Sequence, residues 1–90
     1  MAVEVRIPTI LRTFTGGEKK VEGSGTTLAQ VIDDVDSRHP GLKGRIVESD
    51  TLRRFVNVYV NDEDVRFSGG LSAPVADGDV VVVLPAVAGG

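Results

Sequence analysis

An α+β fold, with a mixed sheet curled around one main helix, is predicted by three features of this 90-residue chain. One segment carries the periodicity of an amphipathic helix. Segments on both sides of it alternate apolar and polar residues, as half-buried strands do. The last apolar run, residues 80–84, does not alternate and reads as a central, fully buried strand. A helix with one apolar face can bury that face only against a sheet.

The elements follow in order. Val3, Val5 and Ile7 alternate with Glu4 and Arg6, which predicts a strand running to about Leu11, closed by a turn at Gly16 and Gly17. Residues 18–22, with Val21 as their one strong apolar member, read as its hairpin partner. Thr27 stands three residues before Gln30, the spacing of a capping box. Leu28, Val31, Ile32 and Val35 then fall at i, i+3, i+4 and i+7 on one helical face. Arg38, His39, Pro40 and Gly41 supply a cation and then two breakers, which end the helix. Residues 42–54 are mixed, and Leu42, Ile46 and Leu52 anchor either a short helical turn or a loop.

Strict alternation returns over residues 55–60, with Val56, Val58 and Val60 opposite Phe55, Asn57 and Tyr59. Asn61 and Asp62 make a turn, Val65 and Phe67 read as a brief strand, and Gly69 and Gly70 break it. Asp77, Gly78 and Asp79 form the turn into the last strand. Two hairpin regions flanking a single helix make a β-grasp arrangement. A ferredoxin-like split βαβ needs a second full helix, for which residues 42–54 carry too little periodicity. The expected organisation is one β-grasp domain over residues 1–84 and a short tail over residues 85–90.

Composition limits the function. Three Phe, one Tyr and no Trp leave the core to aliphatics. Ten Lys and Arg against thirteen Asp and Glu give a net charge of −3, with no basic stripe along the chain, so nucleic acid is disfavoured. The lack of cysteine excludes a disulfide framework, a thiolate zinc site and a cysteine nucleophile. The first residues do not form a signal peptide and no run has the length of a transmembrane helix, so a cytoplasmic, membrane-free protein is expected. A chain this short favours a binding or carrier module over an enzyme.

The end of the chain, LPAVAGG over residues 84–90, is the most informative stretch. Pro85 cannot donate to a sheet ladder and marks the exit from the last strand. Val87 and Ala88 are small, and Gly89 and Gly90 offer no bulk and wide backbone freedom, so such a tail can enter a narrow channel. The α-carboxylate of a terminal Gly90 is ionised at neutral pH and can attack an activated phosphate.

LPAVAGG, with ADGD at 76–79 before the last strand, resembles the C-terminal part of the ThiS/MoaD family of ubiquitin-like sulfur carriers. RIPTILR at 6–12 and RFVNVYVNDEDVRFSGGL at 54–71 make the chain most similar to the CysO-type carriers of actinobacteria. The resemblance implies that an E1-like activating enzyme of the MoeB/ThiF type adenylates Gly90 with ATP. A sulfur donor then displaces AMP and leaves a thiocarboxylate. It implies as acceptor a pyridoxal-phosphate-dependent cysteine synthase or a thiazole-synthase-like enzyme, and a JAMM-type metalloprotease that releases cysteine. The carrier itself would hold no cofactor and no metal, and would be a protein substrate rather than a catalyst. Related carriers dock through apolar residues of the sheet face plus the tail. Ile7 and Leu84 are the candidates by position, each equally placed for core packing. Phe55 and Tyr59 join them if the valines opposite face the helix. Asp64 stands where MoaD-like carriers often have an apolar residue, a departure from their docking surface.

Other polar features have plainer readings. His39 belongs to the helix stop, and Asp33, Asp34 and Asp36 form a solvated helix face rather than a metal site. Asp62, Glu63 and Asp64 are a turn able to meet basic residues of an acceptor. Gly23, Ser24 and Gly25 lack the lysine of a phosphate-binding loop. Three rivals stay open: a carrier serving molybdopterin, thiamin or a thio-sugar product; a ubiquitin-like protein modifier; and an interaction domain with an inert tail.

Overall fold

A computed structural model describes residues 2–49, 51–53 and 56–85. Its first strand, β1 (Val3–Arg6), turns Val3 and Val5 into the core. The strand stops well short of Leu11 because Pro8 cannot continue a ladder. Residues Thr9–Thr15 instead form a 3-10 segment, ended by Gly16 in the left-handed region at φ 65°. β2 (Lys20–Gly23) returns antiparallel to β1, with Val5 opposite Val21.

Helix α1 (Leu28–Arg38) buries Leu28, Val31, Ile32 and Val35, the face read from the spacing. The Thr27 hydroxyl accepts from the Gln30 amide at 3.3 Å. The reciprocal bond lands one residue earlier than a capping box places it: Gln30 Oε1 accepts from the Thr26 amide at 2.8 Å. The mixed segment resolves into a five-residue helix, α2 (Leu42–Ile46), and a small hairpin of β3 (Val47–Glu48) and β4 (Thr51–Leu52). Leu42 and Ile46 are buried under α1 and the 3-10 segment, and Leu52 packs at the edge of the core.

β5 (Val56–Val60) and β6 (Glu63–Asp64) are joined by Asn61 and Asp62, both at positive φ, the geometry of a tight two-residue hairpin turn. The expected brief strand at Val65 and Phe67 is a 3-10 turn over Val65–Phe67. It buries Val65 and leaves Phe67 88% exposed. With β6 only two residues long, the chain leaves the sheet before Val65 and loses its alternation there.

β7 (Val80–Pro85) completes a five-stranded sheet of order β2-β1-β7-β5-β6, parallel to β1 and antiparallel to β5. It is central as expected, but it is not buried on both faces. Val81 and Val83 are in the core, Val80 and Val82 are half-buried, and Leu84 is exposed. The helices cover one face of the sheet only, so a continuous valine run keeps a wet side. The whole is a β-grasp fold, and its uncovered face carries the strand that leads to the C-terminus.

Candidate functional site

Four of the residues singled out in the sequence, Val87, Ala88, Gly89 and Gly90, lie outside the described residues, as does Phe55. The structure places the root from which residues 86–90 continue. β7 ends with Leu84 opposite Asn57 and Pro85 opposite Val56. Pro85 is thus still in register, one residue beyond the strand read from the sequence.

Leu84 is 45% exposed on the uncovered face. Tyr59, half-buried on the same face, sits in a row that crosses all five strands in register: Lys20, Arg6, Val82, Tyr59 and Asp64. Ile7 does not belong to this surface. It follows Val3 and Val5 in parity, is 2% exposed, and is part of the core. The exposed apolar residue beside Leu84 is instead Ile10, 66% exposed on the 3-10 segment. Sequence reasoning missed Ile10 because it continued a strand through Pro8. That proline was the available signal that alternation had ended.

Two grooves flank the end of β7 and share Pro8, Ile10, Val83, Leu84 and Pro85 as walls. The first, of about 590 Å³, runs toward β1 and β2 and is rimmed by Arg6, Arg12, Lys19 and Lys20. The second, of about 470 Å³, runs toward α2 and is rimmed by Arg45 and Arg53. Cations scattered along the sequence thus converge in space around the end of β7. Most are braced. Arg6 Nε lies 2.6 Å from Glu4 and Arg12 Nε donates to the Ile7 carbonyl at 3.2 Å. Arg45 lies 5.5 Å from the Phe14 ring centre, and Arg53 Nε donates to the Gly44 carbonyl at 2.8 Å. The Glu4 carboxyl is held below its ordinary pKa, chiefly by the Arg6 hydrogen bond.

Beside Leu84, Arg66 fastens the facing strand. Its guanidinium donates to Asn57 Oδ1 at 2.7 Å, to the Val56 carbonyl at 2.6 Å and to the Arg53 carbonyl at 3.2 Å. Val56 faces Pro85, so this clasp stiffens the platform on which the last sheet residues lie. At the far end of β7, Asn61 Nδ2 donates to Asp79 Oδ1 at 2.9 Å and Asn61 Oδ1 accepts from the Val80 amide at 3.0 Å. Asp79 Oδ2 also accepts from the Ala76 amide, and its pKa is lowered, by Asn61 first and Ala76 second. The ADGD turn therefore anchors the start of the strand whose end carries the tail.

The remaining polar candidates take structural places. Asp34 accepts from the Ser24 amide at 2.9 Å and pairs with Arg38 at 3.0 Å, and Arg38 reaches the Glu22 carbonyl on the open edge of β2. His39 caps the C-terminus of α1 through its backbone amide. Among the described residues, no group of three or more His, Asp or Glu is placed to hold a metal ion, and no helix is long and apolar enough to cross a membrane.

Comparison with known proteins agrees with this geometry. The sulfur carrier protein CysO of Mycobacterium tuberculosis is 57% identical over the full length of both chains. The matched chain in the crystal structure of the Amycolatopsis orientalis BexX/CysO complex superposes with a TM-score of 0.95 at 67% identity, covering 99% of this chain and 100% of that one. Small archaeal modifier protein 3 of Haloferax volcanii is 31% identical, again over the whole of both chains. The ThiS family model matches residues 5–90, from β1 through the final Gly-Gly, and the chain belongs to the ThiS family.

Proposed function

We propose that this protein is a sulfur carrier whose reactive group is the C-terminal carboxylate of Gly90. In the proposed cycle, a carboxylate oxygen attacks the α-phosphorus of ATP on an E1-like activating enzyme, releasing pyrophosphate and leaving an acyl-adenylate. A sulfur donor then displaces AMP to give a thiocarboxylate, which an acceptor enzyme consumes. The carrier acts as a protein substrate, with the chemistry supplied by its partners, in the cytoplasm. The observation that carries this reading is 57% identity to a CysO sulfur carrier over the full length of both chains, in a family match that includes the terminal glycines.

The geometry supports it. β7 is pinned at its start by Asn61 and Asp79, and the exposed Leu84 and Ile10 surround its end with a surface free to meet a protein. Ala88, Gly89 and Gly90 add almost no side-chain bulk, as a segment entering a narrow channel requires. A CysO relative is found in complex with BexX, which supports docking of a carrier of this shape on a partner. For the acceptor we propose a cysteine-synthase-like or thiazole-synthase-like enzyme, with a JAMM-type protease where cysteine is the product.

Intact mass spectrometry after incubation with ATP, a sulfide source and an activating enzyme tests the proposal. Replacement of one oxygen by sulfur in the C-terminal peptide, dependent on ATP, is expected. An unchanged mass with an activating enzyme competent on another carrier would sink it. The relationship to small archaeal modifier protein 3 favours a second reading, attachment through Gly90 to lysines of target proteins. Reductant-resistant conjugates of higher mass in cells would establish that reading.

A further inference from the structure

The far side of the sheet ends in an open edge. Among the described residues β2 pairs with β1 alone and stands last in the strand order. The Ile7 amide donates to the Lys19 carbonyl at 2.8 Å. Backbone groups alternate in direction along a strand, so Val21 and Gly23 turn theirs to β1 as Lys19 does, while Lys20 and Glu22 turn theirs outward. Arg38 agrees with this phase, since its guanidinium donates to the Glu22 carbonyl, a group that β1 does not use. An edge of this kind is a template for a further strand. A groove of about 490 Å³ runs along it, between β2 and the end of α1.

The edge is complementary to itself. Two antiparallel copies of β2 must set outward-turned residues opposite outward-turned residues, which leaves few registers. Pairing centred on Lys20 or on Glu22 sets like charges directly opposite, which is destabilising. Pairing centred on Val21 sets Lys20 of each copy opposite Glu22 of the other, with the half-buried Val21 facing its own counterpart. That arrangement is isologous and closes after two copies. In it the Glu22 carbonyl must accept from the Lys20 amide of the other copy, yet Arg38 already occupies that carbonyl. Arg38 is itself held in place: it pairs with Asp34 at 3.0 Å, and Asp34 is fixed by the Ser24 amide at 2.9 Å. The opposite side of the sheet carries a similar device. There β6 is two residues long, and where it has run out Arg66 donates to the Val56 carbonyl of β5 at 2.6 Å. We infer that β2 is a self-pairing edge and that Arg38 is the latch that keeps it shut. The chain stays a monomer while Arg38 holds the Glu22 carbonyl, and it joins a second copy of itself through β2 when that contact is released. β1 stands between β2 and β7, so the pairing does not cover the end of β7.

Sedimentation equilibrium of the full chain from about 10 to about 500 μM tests this, since mass action exposes a weak dimer across such a range. Wild type is expected to be a monomer throughout. Arg38→Ala is expected to dimerise with at least about tenfold higher affinity than wild type, because the edge is then open. Charge tests the register. Arg38→Ala/Lys20→Glu and Arg38→Ala/Glu22→Lys each set like charges opposite, so each alone should stay monomeric. Their equimolar mixture should form a heterodimer, in which every facing pair is a glutamate with a lysine. The same two charge variants with Arg38 kept should not pair when mixed. Thermal melts establish that each variant is folded. Should Arg38→Ala fail to fold, Arg38→Gln takes its place, a shorter side chain without the charge that Asp34 holds.

A folded Arg38→Ala that stays monomeric to the top of the range overturns the inference, as does a wild type that dimerises with Arg38 in place. Dimerisation that neither charge variant weakens would move the contact away from β2 and overturn it equally. Pairing of the mixture with Arg38 kept would remove the latch. Association is read here without ATP, sulfur donor or activating enzyme, so this inference and the carrier reading stand or fall separately.

Discussion

At Gly23 the last residue of β2 lies so close to α1 that an added Cβ would stand 2.8 Å from Val31 Cγ1 and 2.9 Å from Val35 Cγ2. Both valines are fully packed, so neither can retreat without moving the helix. Gly23→Ala is expected to cost about 1–3 kcal/mol, the range for overpacking a filled core, visible as a lower urea midpoint at unchanged slope. Unchanged stability would mean that the helix shifts freely on the sheet. Two carboxylates make a second prediction. Asp34, bonded by the Ser24 amide and then Arg38, and Asp79, bonded by Asn61 and then Ala76, both have pKa values below the ordinary 3.8. A carboxyl depressed by folding stabilises the native state above its unfolded pKa, and that stability is lost as pH falls through the lowered folded value. Urea midpoints should therefore drop below about pH 5, and Asp34→Asn/Asp79→Asn should flatten that drop. Identical pH profiles would refute the linkage.

At the scale of elements, what was legible depended on whether local pattern and tertiary demand agreed. In α1 they agree: the apolar spacing, the Thr27 cap and the buried face coincide. Thr27→Ala removes the acceptor for the Gln30 amide and is expected to cost about 1 kcal/mol by chemical denaturation. Thr27→Ser should recover most of it, and failure to do so would point to lost methyl packing instead. In the first strand the pattern outlived the element. Apolar residues continue past Pro8 to Ile10 and Leu11, but the chain there is a 3-10 segment with Ile10 outward. Val65 and Phe67 were spaced like a strand, but the ladder had already run out with β6. The residues 42–54 were ambiguous because elements of two and five residues are too short to show a period.

For the molecule as a whole, the tail is expected to be separable from the fold. Residues 86–90 follow the last sheet pair, Val56 with Pro85, and the buried core of the described residues is drawn from residues 3 to 83. Deleting Gly89 and Gly90 should leave the melting curve within about 0.5 kcal/mol of wild type while abolishing ATP-dependent thiocarboxylation. A residue appended after Gly90 should act alike, since it removes the free carboxylate. An unfolded truncation product, or retained sulfur uptake by either variant, would contradict this separation.

The sequence by itself determined the β-grasp order of elements, the helix and its buried face, the aliphatic core and the resemblance that leads to Gly90. These are local or periodic properties, written in residues a few positions apart. Only the tertiary structure decided that Ile10 stands beside Leu84 at the end of β7, and that the central strand keeps an open face. It also decided that cations from residues 6 to 53 meet around the tail root. Those outcomes depend on which strands pair and which face the helices cover. Both are set by contacts between residues distant in sequence, for which a linear pattern carries no signal.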